Sequence, residues 1–176
     1  LQLAILDRNG ADVRHWSSTD AAVAPNPDTL PFPAYWVTPQ TPPDATPGMH
    51  RFVWNFHSRR ENGPLVPPGT YTVRMTLDGR NFTQQLIVHR DPRIRASDAD
   101  LIAQAALAND IDTLRTRIHV AAHAMPKNEA LADDETLLTE LETAVESADT
   151  SPTANERATW KTLRAQTLHT LNGRST

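Results

Sequence analysis

The sequence predicts an α+β chain, an N-terminal antiparallel β-sandwich followed by a small helical bundle, and three observations carry that prediction. Twelve of the fourteen prolines precede Arg95, whereas the stretch from Ser97 to Leu171 holds only Pro126 and Pro152 and is rich in Ala and Leu. Before this boundary apolar residues alternate, as in Tyr71, Val73, Met75 and Leu77, the period of a strand with one buried face. After it they recur at spacings of three and four in Leu107, Ile111, Leu114, Ile118, Ala121 and Met125, the period of one helix face. We therefore place a β unit over residues 1–95 and a helical unit of about three helices over 96–176.

Leu1, Leu3 and Ile5 alternate with Gln2, Ala4 and Leu6, and Asp7-Arg-Asn-Gly10 supplies turn chemistry before Val13 to Trp16, so a hairpin opens the chain. Residues 17–47 hold eight prolines. Proline lacks the N–H that a central strand must donate, so this stretch is expected to run as an extended loop. Its Phe32, Tyr35, Trp36 and Val37 are too apolar for a free linker and are expected to pin it across the sandwich. The clearest β pattern runs from Gly48 to Val88. His50 to Phe56 is expected to form a strand with Phe52, Trp54 and Phe56 on one face, and Pro67-Pro-Gly-Thr70 turns into the next. A two-residue type I′ turn at Asp78-Gly79 would set Leu77 opposite Arg80, Met75 opposite Phe82, Val73 opposite Gln84 and Tyr71 opposite Leu86.

Asp91-Pro92-Arg93 ends the β part, and Ser97 is the expected N-cap of the first helix, with Asp98 and Asp100 where the helix dipole favours negative charge. Pro126-Lys-Asn breaks that helix. Leu138, Leu141, Val145 and Ala148 mark a second, and Thr150-Ser-Pro-Thr introduces a third carrying Trp160, Leu163, Leu168 and Leu171. The third stripe is thin for an up-down-up bundle and calls for further cover.

Composition narrows the function. The net charge is −4, the only lysines are Lys127 and Lys161, and nothing clusters cations as a nucleic-acid phosphate backbone requires, so nucleic acid is not an expected partner. No apolar run approaches the roughly 20 residues of a membrane-spanning helix, so no membrane insertion is expected. The absence of cysteine removes disulfides, thiolate nucleophiles and Cys-type zinc sites. The start at Leu1, without methionine or signal peptide, suggests a processed or trimmed fragment.

Gly48-Met-His-Arg-Phe-Val-Trp-Asn-Phe56, Gly63-Pro-Leu-Val-Pro-Pro-Gly-Thr-Tyr-Thr-Val-Arg74 and Asp78-Gly79 together resemble the C-terminal module of bacterial secreted proteins with BNR-repeat, sortilin-like β-propellers, often labelled glycosyl-hydrolase-like. The order is also similar to the immunoglobulin-like module of flagellar hook-capping proteins. Asn55 stands where the propeller family usually has Asp, and the insert from His57 to Asn62 is short. The resemblance implies an Ig/fibronectin-III-like sandwich, a secreted or periplasmic location, and a non-catalytic accessory module. Its partner would be an upstream β-propeller of the same polypeptide or another protein, and any hydrolytic chemistry would belong to the propeller.

Candidate chemistry is sparse. His119 and His123, four apart on the first helix, have two-imidazole metal spacing but lack the Glu of a His-Glu-x-x-His motif, so no metal and no cofactor are expected. A glycosidase needs two carboxylates facing each other across a sugar. The acidic residues of the helical part, Asp133, Asp134, Glu135, Glu140, Glu142 and Glu146, read instead as a solvated helix flank, and those of the β part, from Asp7 through Asp28 and Glu61 to Asp91, as turn residues. Ser17, Ser18, Asp20 and His15 lie too close in sequence for a nucleophilic triad. Arg59-Arg60 reads as a solvated basic doublet. No catalytic residue is expected. The alternative to an interaction module is a carbohydrate-binding module supporting a glycoside hydrolase, with Trp36, Tyr35 and Trp16 as a ring-stacking surface and Trp54 in the core.

Overall fold

The computed structural model describes residues 1–22, 30, 32–37, 41–60, 62–125 and 128–173. The architecture is α+β, a four-stranded antiparallel sheet followed by three helices. The chain divides into two compact units, Leu1–Asn55 with Gly69–Ile87, and Phe56–Pro68 with Val88–Thr176.

In the first unit β1 (Gln2–Leu6), β2 (Asp12–Ser17), β3 (Gly69–Leu77) and β4 (Arg80–Val88) lie in the order β2-β1-β3-β4. Central β1 pairs antiparallel with both neighbours, so that Ile5 sits between Arg14 and Val73. The first hairpin closes as its turn residues dictate. Both the Asn9 and Ala11 amides donate to Asp7 Oδ1 at 2.8 Å, and these bonds, that from Ala11 foremost, hold the Asp7 carboxyl below its ordinary pKa. The second hairpin has the expected turn. Asp78 and Gly79 take φ of 50° and 77°, the left-handed pair of a type I′ turn. Thr76 Oγ1 donates to Asn81 Oδ1 at 2.7 Å, which fits the register anticipated from the sequence.

Among the described residues of this unit, Ala4, Ile5, Leu6, Trp16 and Tyr71 are the buried apolar ones. The segment from His50 to Phe56 is irregular rather than a strand. It still supplies cover, since Phe52 meets Trp16 edge-on at 4.9 Å and Trp54 meets Tyr71 at 5.9 Å. Phe56, expected on the same face, takes left-handed backbone (φ 63°) and is 46% exposed. Much of the proline-rich stretch, residues 23–29, 31 and 38–40, lies outside the described residues, as do Asp28, Glu61, Pro126 and Lys127.

In the second unit α1 (Asp98–Ala124), α2 (Glu129–Glu146) and α3 (Ala154–Asn172) each begin on a side-chain cap. Ser97 with Asp100 and Thr153 with Glu156 form reciprocal capping boxes, and Asn128 caps α2. The core is the heptad-like stripe of α1 (Leu107, Ala108, Ile111, Leu114, Ile118, Ala121) against Leu131, Leu138, Leu141 and Val145 of α2 and Leu163 of α3. Gln104 of α1 donates to the Val145 carbonyl, which the end of α2 leaves open, and to the Ala148 carbonyl just beyond it, both at 2.6 Å. As anticipated, α3 is thinly held: only Leu163 and Thr167 are fully buried on it, with Trp160, Leu168 and Leu171 half-covered.

Candidate functional site

Of the three aromatics the sequence puts forward as a ligand surface, two stand at the surface. Ala34–Trp36 form one 3₁₀ turn closed by the Trp36 N–H donating to the Pro33 carbonyl at 3.0 Å. The turn holds Tyr35 edge-on to Trp36 (6.1 Å between centroids, 85°) and lets Phe32 lie nearly parallel to Trp36 (6.3 Å, 21°). Tyr35 is 81% exposed, Trp36 66% and Phe32 42%. The expectation that this segment would be pinned by burying these rings is corrected: they cluster with one another and face water. Full burial of each would be worth roughly 1.5–3 kcal/mol, so a folded chain gains from covering such a cluster.

Trp16 does not belong to that surface. It is 7% exposed, lies under Phe52, and carries the Arg14 guanidinium 5.0 Å from its ring centre. Alternation along β2 places it on the core side with Arg14, opposite to exposed His15.

The most strongly built polar feature is in the helical unit, and the sequence reading missed it. Asp112 on α1 has no solvent exposure. Arg60 reaches it with both terminal nitrogens, Nη1 to Oδ2 at 3.2 Å and Nη2 to Oδ1, while Arg59 Nη1 approaches Oδ2 at 3.3 Å and Arg115 Nη2 approaches Oδ1 at 3.1 Å. Arg59 also donates to Thr113 at 2.9 Å. Arg59 and Arg60 are therefore not the solvated doublet expected of them. They are spent on one buried carboxylate, which three guanidiniums more than neutralise.

Arg115 continues the network. Its Nε lies 2.8 Å from Glu142 Oε2, a charge contact whose angle is not that of an aligned hydrogen bond. Burial pushes the Glu142 carboxyl up to about 7; Arg115 and Arg60 oppose the rise, and Asp112 and Glu146 add to it. Glu146 accepts the Leu65 N–H at 2.8 Å. The loop between residues 57 and 65 is thus clamped onto α1 by its arginines and onto α2 by its backbone. Within it Ser58 and Pro64 are joined by a 2.8 Å backbone bond, the His57 ring meets the Gly63 carbonyl, and a Cβ at Gly63 would fall 2.1 Å from the Ser58 oxygen.

Asp134 and Glu142 depart from the expected solvated flank: both are buried, and Asp134 accepts a 2.6 Å bond from Gln166 of α3. A cue was present. Asp112 continues the stripe of Leu101, Ala105 and Ala108, and Asp134 sits between Leu131 and Leu138 at core spacing, so a carboxylate at an apolar position announces a buried partner.

Chemically, the Asp112–Glu142 pair is a filled site. The Arg115 guanidinium stands between the carboxylates, and their side chains are 0% and 8% exposed, which leaves no space for a sugar between acid and base. The Ser-His-Asp arrangement is absent as geometry: His15 pairs with Asp12 at 3.2 Å, Asp20 accepts the Ser17 N–H at 2.6 Å, and the Ser17 hydroxyl meets Thr19. His119 and His123 touch edge-on at 4.4 Å and His119 pairs with Glu135 at 2.6 Å, yet among the described residues no three such side chains are grouped to hold a metal. No described helix is long and apolar enough to cross a membrane.

Comparison with family models, with curated proteins and with solved structures gives no match for this chain.

Proposed function

We propose that this region is a non-catalytic interaction module of a larger secreted protein, and that it makes contact through the Phe32–Tyr35–Trp36 cluster. The observation that carries this is the exposure of two large rings, 81% for Tyr35 and 66% for Trp36, on a turn whose own geometry holds them together. Aromatic residues presented on a small rigid platform are the usual anchors of a contact surface. The buried carboxylates support the same reading, because each is occupied by a structural partner and none is poised over a cleft. We read the sheet as one layer of an Ig-like sandwich. The other layer is taken by the irregular segment that brings Phe52 and Trp54 against Trp16 and Tyr71. The resemblance to the C-terminal modules of BNR-repeat proteins names the partner class, an adjoining β-propeller.

The edge-on arrangement of Tyr35 and Trp36 favours a second reading, a carbohydrate-binding surface, since sugar rings stack on such faces. Tryptophan fluorescence during titration separates the two. A propeller domain expressed apart should shift the emission of the chain and leave Trp36→Ala unmoved. A shift with oligosaccharides alone would replace the interaction reading by the carbohydrate one, and no shift with either would remove both.

A further inference from the structure

The two edges of the sheet are built differently. The β2 edge is short, six residues, and blocked: a bulge breaks its register between Ile5 and Leu6, the Asp12 carboxylate and the His15 ring set an exposed polar pair on it, and Asp20 occupies the Ser17 N–H at 2.6 Å. The β4 edge has nine residues, Arg80 to Val88, with no proline, no lysine and no charge after Arg80. Seven of its nine residues are exposed, on both faces, including Phe82 at 51% and Ile87 at 53%. Natural sheets protect their edges with charge, proline, bulges or brevity, because a row of open N–H and C=O groups templates another strand. Among the described residues, one edge carries such protection and the β4 edge does not.

We propose that the outer edge of β4 is a self-association edge, on which β4 of a second copy adds in antiparallel register to form one continuous sheet.

The occupant follows from register. The type I′ turn at Asp78-Gly79 makes Leu77 and Arg80 a hydrogen-bonded pair, so even-numbered β4 residues direct their backbone groups at β3. Asn81, Thr83, Gln85 and Ile87 therefore direct theirs outward. A twofold axis through Gln84 sets Asn81 opposite Ile87 and Thr83 opposite Gln85 of the second copy, which makes about eight backbone hydrogen bonds across the seam. That is close to the number a specific interface carries, about ten. On one face Phe82 then meets Leu86, an aromatic–aliphatic cross-strand pair repeated by the symmetry. The strand's one charge, Arg80, falls opposite Val88, so no like charges meet. The guarded β2 edges end the resulting sheet, which closes as a dimer rather than growing as a fibre.

The test uses the whole chain in sedimentation velocity across a wide concentration range, with variants chosen by parity. The chain should be a concentration-dependent dimer. Thr83→Pro and Gln85→Pro each delete an outward N–H without touching the β3 ladder, and Thr83→Lys places two charges at the seam. Each should weaken the dimer at least tenfold while leaving the circular dichroism of the chain intact. The chain has no cysteine, so Gln84→Cys creates a lone thiol on the twofold axis. Mild oxidation should link it to its copy far faster than Gln85→Cys. A monomer at every concentration overturns the proposal. So does a dimer that Thr83→Lys leaves intact, or one that Trp36→Ala dissolves while Gln84→Cys fails to cross-link.

Discussion

Arg60 binds both oxygens of the Asp112 carboxylate across 52 positions of sequence, and that carboxylate has no solvent exposure. The pair makes the loop around Arg60 part of the helical unit. It also explains why an aspartate can occupy a core position of α1.

The guanidiniums of this network should differ in worth according to burial. Arg115 is 21% exposed and serves both Asp112 and Glu142, so Arg115→Ala should cost about 3–5 kcal/mol in urea denaturation of the helical unit, the range for breaking a buried pair. Arg59 is 48% exposed and shares its carboxylate with two others; Arg59→Ala should cost under about 1 kcal/mol.

Gly63 is fixed by space. Gly63→Ala places a methyl against the Ser58 carbonyl at 2.1 Å, where backbone must move, and should cost about 2 kcal/mol or more and open residues 57–65 to limited proteolysis. Gly79→Ala meets open space and costs only the left-handed φ of 77°, about 1–2 kcal/mol, with the loop still protected.

Stability should fall as pH rises through the Glu142 window. Its carboxyl is raised from 4.5 to about 7, burial being the main cause, so the folded chain holds that proton more tightly than the unfolded one. Its contribution is therefore full below pH 4.5, is lost between 4.5 and about 7, and is flat above. Asp7, Asp44, Asp91 and Asp100 are lowered from 3.8 by the hydrogen bonds they accept, so they act in the opposite sense and only at lower pH. Urea midpoints across the upper window should decline for the native chain and stay level for Glu142→Gln.

Trp16 and Trp36 should behave as opposites. Trp16→Ala removes a buried ring and should cost about 3–5 kcal/mol. Trp36→Ala should change stability by under about 0.5 kcal/mol and remove most of the iodide-quenchable fluorescence.

Local chemistry made much of this legible in the sequence. Ser97 beside Asp98 and Asp100, the Asp78-Gly79 turn and the α1 stripe each decide structure within a few residues, and each stands where expected. What depends on distant partners did not show. The alternation of Phe52, Trp54 and Phe56 reads as a strand, but the segment is irregular: the first two meet Trp16 and Tyr71, and Phe56 takes left-handed backbone. Arg59-Arg60 looks solvated until α1 presents Asp112, and Trp16 looks available until Phe52 closes over it. Burial of charge is a tertiary property, and its one local trace was an acid at a core spacing.

The most direct test of the interaction reading is a photo-crosslinking residue in place of Trp36, introduced into the full-length protein. A single major adduct is expected between position 36 and a residue outside this 176-residue chain, mapped by mass spectrometry, with none from the same probe at Trp16. Adducts confined to solvent, or to residues within the sheet, would contradict the interaction reading.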